Sequence, residues 1–156
     1  MAADQITVAS PVGDLVVSEL GGRIVAVDWG RAVRETETSL LAAAAQQLNA
    51  YFYCGLKRFE LPLTPAGSRF QQAVWREMRR IPCGRTRSYA DLARAVDSAP
   101  RAVGGACARN PIPILIPCHR VVSAAGRIGG YSAPGGLDVK RFLLELEGIA
   151  PGRLPP

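Results

Sequence analysis

The residues best suited to chemistry are Cys118 and His119, which follow the apolar run 114–116 and Pro117. The run predicts a buried strand or buried extended segment, which Pro117 ends because proline has no N–H for a sheet ladder. A thiol beside an imidazole, with Arg120 next in the chain, is a setting that stabilises a nucleophilic thiolate. The alternative is an inert core cysteine, since free cysteine is among the most buried residue types.

A carboxylate and an amine near the end of the chain could join this pair. Residues 137–147 predict a helix that ends at Gly148. Glu147 borders its predicted apolar face, and Lys140 lies two turns earlier on the same side, so both could point toward Cys118. The alternative for each is a solvated charge at the rim. The residues predicted to be buried along this helix are Val139, Phe142, Leu143 and Leu146.

The segment 126–132 carries three glycines within five residues before Tyr131 and Ser132. Glycine has no Cβ and lets a backbone approach a ligand closely. The segment therefore suits a loop that wraps around a flat ligand, and an ordinary flexible loop fits its composition equally well.

Two short helices precede the Cys118 segment and must position it. Ser88 begins a capping signature for a helix to about Val96. Residues 101–109 predict a second helix that ends at Asn110, because the residue before a proline is pushed out of the α region. Arginine is frequent from 69 to 109, so the pair is typical of a DNA-binding helix-turn-helix.

The second of these helices presents almost no side chain. Its adjacent glycines, Gly104 and Gly105, cost about 2 kcal/mol of helix propensity relative to alanine. Such a helix favours close approach to its backbone, either by a narrow DNA minor groove or by a tightly packed neighbouring helix. Arg101, at its start, is the one long side chain able to reach into a duplex.

Bulk properties narrow the class of protein. The 156 residues carry a net charge of +6 and are 48% apolar, which predicts a globular protein with a polyanionic partner. No apolar run approaches the ~20 residues of a membrane span, and no secretory signal is visible, so a cytoplasmic location is expected. Four scattered cysteines predict free thiols. A single histidine cannot supply the usual zinc ligands, so neither metal nor cofactor is expected.

The N-terminal third predicts a small separate domain. Residues 5–30 indicate an antiparallel strand meander, and Ser39 is the predicted cap of a helix over about 40–52. Residues 64–67 are a predicted boundary. The expected fold class is α+β, with a small α/β structural domain over 1–66 and a mainly helical DNA-binding domain over 67–156.

Taken together, the motifs resemble those of the methylated-DNA-protein-cysteine methyltransferases, also called alkylguanine-DNA alkyltransferases. The resemblance covers about residues 68–148, and the N-terminal third is similar more loosely. The link 97–100 is about two residues shorter than is usual in the family, with Pro100 directly before Arg101. The motifs, in order, are Phe70–Trp75, Ile81–Gly84, Ser88-Tyr89, Arg101–Gly104, Asn110-Pro111, Ile116–Val122, Gly129–Tyr131 and Leu143–Gly148.

The resemblance implies that residues 1–66 form a ribonuclease H-like domain and that residues 67–156 form a winged-helix-like domain for DNA binding and alkyl transfer. It also implies a repair reaction on duplex DNA. A damaged nucleotide flips into a pocket, and its guanine O6 alkyl group passes irreversibly to Cys118, so each molecule acts once. His119 would be the base and Glu147 would orient it. Tyr89 would protonate the departing guanine, and Lys140 would help to organise the site.

The resemblance further implies which residues meet the DNA and the base. Arg101 would fill the gap that the flipped nucleotide leaves. The other DNA-binding residues would be Ala102, Gly104, Gly105, Ser88 and Arg87. The pocket residues would be Asn110, Val121, Tyr131 and Ser132. The implied partner is alkylated double-stranded DNA, bound by a monomer, with cooperativity and any O4-alkylthymine activity left open. Two alternatives are a lesion-binding sensor that has lost transfer and a cysteine hydrolase built on Cys118 and His119.

Overall fold

The computed structural model describes residues 2–123 and 128–149 and divides the chain into two compact units, 1–66 and 67–156. The first unit contains an antiparallel sheet in the order β1-β2-β3 and one helix. Its elements are β1 (Asp4–Val8), β2 (Leu15–Leu20), β3 (Arg23–Trp29) and α1 (Ser39–Cys54).

The core of the first unit forms between the sheet and α1. Leu15, Val17 and Ile24 from the strands and Leu41 and Leu48 from the helix are fully buried. This follows from the helical spacing of the apolar residues in α1 and from the central position of β2, which is buried from Leu15 to Glu19.

The predicted cap of α1 was wrong by one residue. Thr38, rather than Ser39, has extended backbone dihedrals, and its side chain accepts a hydrogen bond from the Leu41 N–H at 3.1 Å. Ser39 is already the first helical residue. Sequence alone could not separate two adjacent hydroxyl residues that both suit an N-cap.

The second unit is mainly helical, which confirms the predicted α+β class. Its elements are α2 (Arg69–Arg79), β4 (Arg87–Ser88), α3 (Tyr89–Ala95), α4 (Pro100–Ala108), a 3₁₀ turn (Cys118–Arg120), β5 (Val121–Val122) and α5 (Leu137–Leu146). Strands β4 and β5 pair in parallel. Helices α2, α3 and α4 pack on one another, and Trp75 on α2 donates from Nε1 to the Ala106 carbonyl at 2.9 Å.

The predicted capping signature at Ser88 is confirmed, and a second capping box begins α2. Ser68 and Gln71 form a capping box on α2, and Ser88 and Asp91 form another on α3. Helix α4 begins with Pro100 in its first turn, a position where the missing proline N–H has no helical partner to lose. The short link is closed by Asp97, whose φ of 54° lies in the left-handed region.

The segment 114–116 is buried as expected, but it is a turn rather than a strand. Ile114 has a φ of 72°, and the Ile116 N–H donates to the Ile112 carbonyl at 2.9 Å. The prolines at 111, 113 and 117 remove alternate backbone donors, so this stretch cannot build a ladder.

The apolar stripe predicted for α5 was also partly wrong. Phe142 and Leu146 are exposed, whereas Lys140 and Leu144 are fully buried beside Val139 and Leu143. The reason is a hydrophobic cluster in which Leu144 packs with Ile128 and Ile149. That contact turns the buried face of the helix toward Lys140.

Candidate functional site

A cavity of about 410 Å³ opens in the second unit and exposes the Cys118 side chain to its interior. This volume falls within the range of small-molecule sites. Its lining residues are Tyr89, Gly104, Cys107, Ala108, Cys118, Gly130, Tyr131 and Ser132. Five of the predicted site residues therefore meet at one place: Cys118, Tyr89, Gly104, Tyr131 and Ser132.

Helix α4 forms one wall of the cavity through Gly104, Cys107 and Ala108. A Cβ at Gly104 or Gly105 would meet no atom within 4 Å. Tight helix–helix packing therefore does not explain the glycine pair, and the alternative of an external ligand remains.

The predicted DNA-reading residues of α4 share one exposed face. Arg101, Ala102 and Gly105 are all exposed, as are Ala108 and Arg109 further along. Arg101, Gly105 and Arg109 are spaced four residues apart, so they follow one line along the helix. Arg101 and Arg109 therefore flank a stretch of exposed helix that carries only small side chains.

Arg87 and Ser88, the predicted DNA-binding residues of β4, already have partners within the chain. Arg87 Nη1 is 3.4 Å from a carboxylate oxygen of Glu77, and both side chains are partly exposed. The Ser88 hydroxyl accepts from the Asp91 N–H at 3.0 Å as the cap of α3. The Ser88 hydroxyl proton and part of the Arg87 guanidinium remain as donors for a phosphate.

Cys118 begins the 3₁₀ turn immediately after Pro117, and its side chain is buried. Burial raises the pKa of the thiol, and this effect outweighs the lowering effects of Asn110, the Lys140 charge and Tyr131. Desolvation penalises the charged form more than these groups stabilise it, so the free protein favours the neutral thiol over the predicted thiolate.

Asn110 connects α4 to the Cys118 segment. Its Nδ2 donates to the Ile116 carbonyl at 2.9 Å, and its Oδ1 accepts from the Ile112 N–H at 3.0 Å. These bonds satisfy backbone groups in the proline-rich turn and hold the segment that leads to Cys118. Asn110 is not among the residues that line the cavity, so it acts on Cys118 through this segment.

His119 and Glu147 form the buried centre of the site, since their side chains are 0% and 1% exposed. Nε2 of His119 is 2.7 Å from Oε2 of Glu147. Nδ1 of His119 is buried and has no hydrogen-bond partner among the described residues. Because Glu147 accepts the Nε2 proton, Nδ1 carries the free lone pair and can act as a base.

Arg120 holds Glu147 from the other side. Its Nε donates to Oε1 at 2.8 Å and its Nη2 to Oε2 at 3.0 Å, while Nη1 donates to the Ile81 carbonyl at 2.7 Å. This bidentate arrangement fixes the carboxylate in position. Arg120 was not among the predicted site residues, although its place directly after His119 was a signal.

The charges in this network follow from burial and contact. Burial favours the neutral form of Glu147, but hydrogen bonds and charge from His119 and Arg120 outweigh it and lower the pKa to about 2. Burial lowers the pKa of His119 against the pull of Glu147. At neutral pH the network is an ionised carboxylate, a charged guanidinium and a neutral imidazole.

Lys140 is fully buried, and its amine joins β5 to the loop that contains Gly130. Its Nζ donates to the carbonyls of Val121 at 2.6 Å and Gly130 at 3.1 Å, and lies 5.8 Å from the Tyr89 ring centroid. Burial lowers its pKa to about 8. Val121 is also fully buried, and it is not among the residues that line the cavity. Its carbonyl accepts the hydrogen bond from Lys140.

Tyr89 lies at the base of α3, where it lines the cavity. Burial raises the pKa of its hydroxyl to about 12, with the two nearby thiols adding to the shift. A Cβ at Gly129, which has a φ of 74°, would lie 3.2 Å from the Tyr89 hydroxyl and 3.4 Å from Lys140 Nζ. Glycine at this position lets the loop backbone close over both groups. Gly126 and Arg127 of the same predicted loop lie outside the described residues.

Two searches over the described residues bear on metals and membranes. Within 2–123 and 128–149, no group of three or more His, Cys, Asp or Glu side chains could hold a metal ion. Over the same residues, no helix is long and apolar enough to cross a membrane.

Comparison with known families accounts for both units. Residues 69–149 match the profile described as "6-O-methylguanine DNA methyltransferase, DNA binding domain", and residues 5–65 match the "ribonuclease-like domain" of the same enzyme. The chain belongs to the 6-O-methylguanine DNA methyltransferase family. The family assignment confirms the resemblance inferred from the motifs.

Individual relatives agree over nearly the whole chain. The constitutive methylated-DNA–protein-cysteine methyltransferase of Bacillus subtilis is 45% identical, with 92% of this chain and 94% of the relative covered. The Methanosarcina acetivorans enzyme is 42% identical over 89% and 94% of the two chains. The crystal structure of Mycobacterium tuberculosis OGT in complex with DNA matches with a TM-score of 0.83 and 39% identity, covering 97% and 95%.

The activity follows from membership of the family. The protein is a methylated-DNA–protein-cysteine methyltransferase, which repairs DNA by direct transfer of an alkyl group. The sensor alternative is not favoured, because the relatives are transferases and Cys118 is present. The family assignment likewise displaces the hydrolase alternative.

Proposed function

We propose that Cys118 is the acceptor, and that the alkyl group of O6-alkylguanine passes to its sulfur in one displacement. The S–C bond forms as the bond between carbon and guanine O6 breaks, and the electron pair of that bond stays on guanine. The product is a thioether, so each molecule acts once. The observation that carries this proposal is the Cys118 thiol facing a cavity, with a buried His119–Glu147–Arg120 network beside it.

His119 supplies the proton acceptor in this proposal. The resting thiol is neutral, so its proton must leave as the sulfur attacks. Nδ1 of His119 is buried with an open lone pair, and a water between it and the sulfur would satisfy a nitrogen that burial otherwise penalises. Glu147 stabilises the imidazolium that forms, and Arg120 keeps that carboxylate ionised and oriented.

The leaving guanine takes up a proton at N3, and Tyr89 is the proposed donor. Burial keeps its hydroxyl protonated, with a pKa of about 12, so it is available as a donor throughout the neutral range. Lys140, 5.8 Å from the ring centroid, supplies a positive charge that favours a transient phenolate. Lys140 also holds the carbonyls of Val121 and Gly130, and so shapes the wall that faces the base.

The cavity wall supplies the groups that recognise a flipped base. Tyr131 offers a ring that can cover the base, and Ser132 lies exposed at the mouth with its hydroxyl 3.3 Å from the Ala108 carbonyl. Asn110 and Val121 act from behind, Asn110 through the thiol and Val121 through its bond to Lys140. The proposed substrate class is alkylated guanine in duplex DNA.

The exposed face of α4 is the proposed contact with the DNA minor groove. Ala102, Gly104 and Gly105 present backbone and methyl groups only, so a narrow groove can approach closely. Flipping the nucleotide unstacks its base, which costs a few kcal/mol. Arg101 then fills the gap that the base leaves in the stack. Arg87 and Ser88 contact phosphates at the side. Binding is sequence-independent and salt-sensitive.

We further propose that a single chain performs the reaction and that the protein works in the cytoplasm. The residues of one chain suffice to line a cavity of about 410 Å³. Sedimentation of the free protein should show a monomer, and a stable dimer would contradict this proposal. Cooperative assembly on DNA would show as a binding isotherm steeper than that for independent sites.

The central test is peptide mapping after the protein reacts with a duplex that contains one O6-methylguanine. We expect one added methyl group per molecule, located on Cys118, and no second turnover. The other described thiols serve as internal controls in the same digest. A methyl group on Cys54, Cys83 or Cys107, or unmodified protein after complete reaction time, would contradict the proposal.

Gly105→Ala should move stability and DNA affinity in opposite directions. The new methyl group meets no atom within 4 Å, so the helix should gain up to about 1 kcal/mol in free energy of unfolding. The same methyl group stands between the backbone and the groove, so duplex affinity should fall, and Gly105→Leu should lower it further. Chemical denaturation and DNA titration measure the two effects. Unchanged affinity in both variants would remove this face from the interface.

Arg101→Ala should slow repair in duplex DNA more than it slows reaction with free O6-methylguanine, because only the duplex requires a gap to be filled. Arg94→Ala is the matched control, since it removes an exposed arginine from the preceding helix. In either variant, loss of one phosphate contact alone would lower the slope of log affinity against log salt concentration by about one. Equal slowing on duplex and free base would refute the gap-filling role.

A further inference from the structure

The proposed transfer leaves a second thiol of the cavity unused. Cys107 is buried on α4 and lines the same cavity as Cys118. Its Sγ lies 3.5 Å from the Met78 sulfur, a weak contact that does not consume its reactivity. Of the other cysteines, Cys54 belongs to the first unit and Cys83 is not among the described residues that line this cavity.

Both thiols face one cavity of about 410 Å³, because Cys107 and Cys118 both line it. Asn110 connects the two segments that carry them. Its backbone N–H donates to the Cys107 carbonyl at 3.3 Å at the end of α4, and its side chain bonds to the Ile112 N–H and the Ile116 carbonyl in the turn that leads to Cys118. The charge of either thiolate also acts on the same two groups, Tyr89 and Lys140.

We propose that Cys107 and Cys118 form a dithiol site that peroxides convert into an intramolecular disulfide, which keeps the acceptor sulfur in a reducible form. The value of this site for repair rests on the proposed role of Cys118 as acceptor. The disulfide itself depends only on the two sulfurs and the cavity that they share.

The chemistry takes two steps. Cys118 attacks one peroxide oxygen with the help of His119, so that an S–O bond forms, the O–O bond breaks and water leaves, which yields a sulfenic acid. The Cys107 sulfur then turns from Met78 and attacks the Cys118 sulfur. An S–S bond forms, the S–O bond breaks, and the leaving hydroxide takes the Cys107 proton as a second water. Peroxide is the two-electron oxidant, and both sulfurs end oxidised by one electron each.

The alternative fate of Cys118 shows what the second thiol contributes. A sulfenic acid without a nearby thiol is oxidised further to a sulfinic acid, which ordinary thiols do not reduce. Because each molecule can accept only one alkyl group, a molecule whose Cys118 has become a sulfinic acid can no longer repair any lesion. A disulfide is returned to the dithiol by exchange with a free thiol.

The test exposes the full-length protein to hydrogen peroxide and follows it by intact mass and by peptide mapping without reduction. We expect the loss of two hydrogens and one cross-linked peptide pair joining 107 to 118. Repair capacity for methylated duplex should fall with the cross-link and return after dithiothreitol. Cys107→Ala should instead accumulate Cys118 sulfinic acid and lose capacity irreversibly, relative to its own untreated value. Cys83→Ala is the matched control and should behave as the unsubstituted protein.

Several outcomes would overturn the dithiol site: a cross-link to Cys83, sulfinic acid at Cys118 without any cross-link, or irreversible loss in the unsubstituted protein equal to that in Cys107→Ala. The unsubstituted protein could also form the 107–118 cross-link with peroxide and yet, before oxidation, transfer no alkyl group. That result would refute the acceptor role of Cys118 and support the dithiol site.

A probe that needs no variant gives an independent reading. Phenylarsine oxide forms two As–S bonds to a neighbouring dithiol and releases one water. We expect one equivalent to bind, to resist a monothiol, and to leave with a dithiol chelator. Peptide mapping should assign the bound arsenic to residues 107 and 118. Failure to bind, or release by a monothiol, would contradict the proposed proximity even if Cys107→Ala does not fold.

Discussion

Cys118→Ala should abolish alkyl transfer completely and leave binding to damaged duplex intact. The substitution removes the sulfur that forms the new bond, and burial raises the pKa of Cys107, the other thiol of the cavity, to about 12, so that thiol stays protonated at neutral pH. The DNA-facing residues lie on α4, and the small alanine does not obstruct the cavity. Transfer is measured as methyl groups gained per molecule, and binding by titration with a duplex that carries one lesion.

The controls for this variant come from the same chain. Cys54→Ala and Cys83→Ala should keep full capacity, because Cys54 is exposed in the first unit and Cys83 is not among the described cavity residues. Cys118→Ser separates nucleophilicity from shape, since a hydroxyl is a far weaker nucleophile than a thiolate at neutral pH. Residual transfer in Cys118→Ala would show that the acceptor is elsewhere.

Glu147→Gln should slow transfer by about 10²- to 10⁴-fold, the usual contribution of general acid–base catalysis. The amide keeps the size of the side chain but cannot stabilise an imidazolium at His119 or balance the charge on Arg120. Single-turnover kinetics with a methylated duplex measure the effect. Glu145→Gln is the matched control, because Glu145 is exposed on the same helix and should react at the normal rate.

Loss of stability must be separated from loss of catalysis in this variant. Arg120 is 8% exposed, and removing its partner leaves a buried charge uncompensated, which costs about 3–5 kcal/mol. The double variant Glu147→Gln with Arg120→Met removes both charges and should recover much of that stability while remaining slow. Recovery of the rate together with the stability would show that Glu147 acts only through the fold.

The same carboxylate predicts an acid-sensitive fold. The pKa of Glu147 falls from 4.5 to about 2 in the folded protein, so its stabilising contribution is fully present above about pH 4.5 and is lost as the pH falls through about 2. The free energy of unfolding should fall through this window in the unsubstituted protein. The free energy of unfolding should fall less steeply with pH in Glu147→Gln. In Glu145→Gln it should fall as steeply as in the unsubstituted protein. An identical slope in all three proteins would contradict the ionised state of Glu147.

Much of the architecture was predictable because local patterns carry it. Capping boxes at Ser68 and Ser88 mark helix starts through contacts three residues apart, and strand alternation in the first 30 residues marks the meander. Such signals need no knowledge of distant residues. The errors came where a distant contact decides the outcome. Leu144 turned the buried face of α5 by packing with Ile128, and closely spaced prolines replaced a strand with a turn.

The sequence by itself determined the inventory of the site: one histidine beside one cysteine, a glycine pair in an arginine-bracketed helix, and an acidic residue at the end of the last helix. Only the tertiary structure decided how these groups are charged and connected. Burial favours the neutral Cys118 thiol, Arg120 holds the Glu147 carboxylate in place, and the fold brings Cys107 and Cys118 to one cavity. The physical reason is that solvation and proximity depend on residues far apart in the chain, which local spacing does not encode.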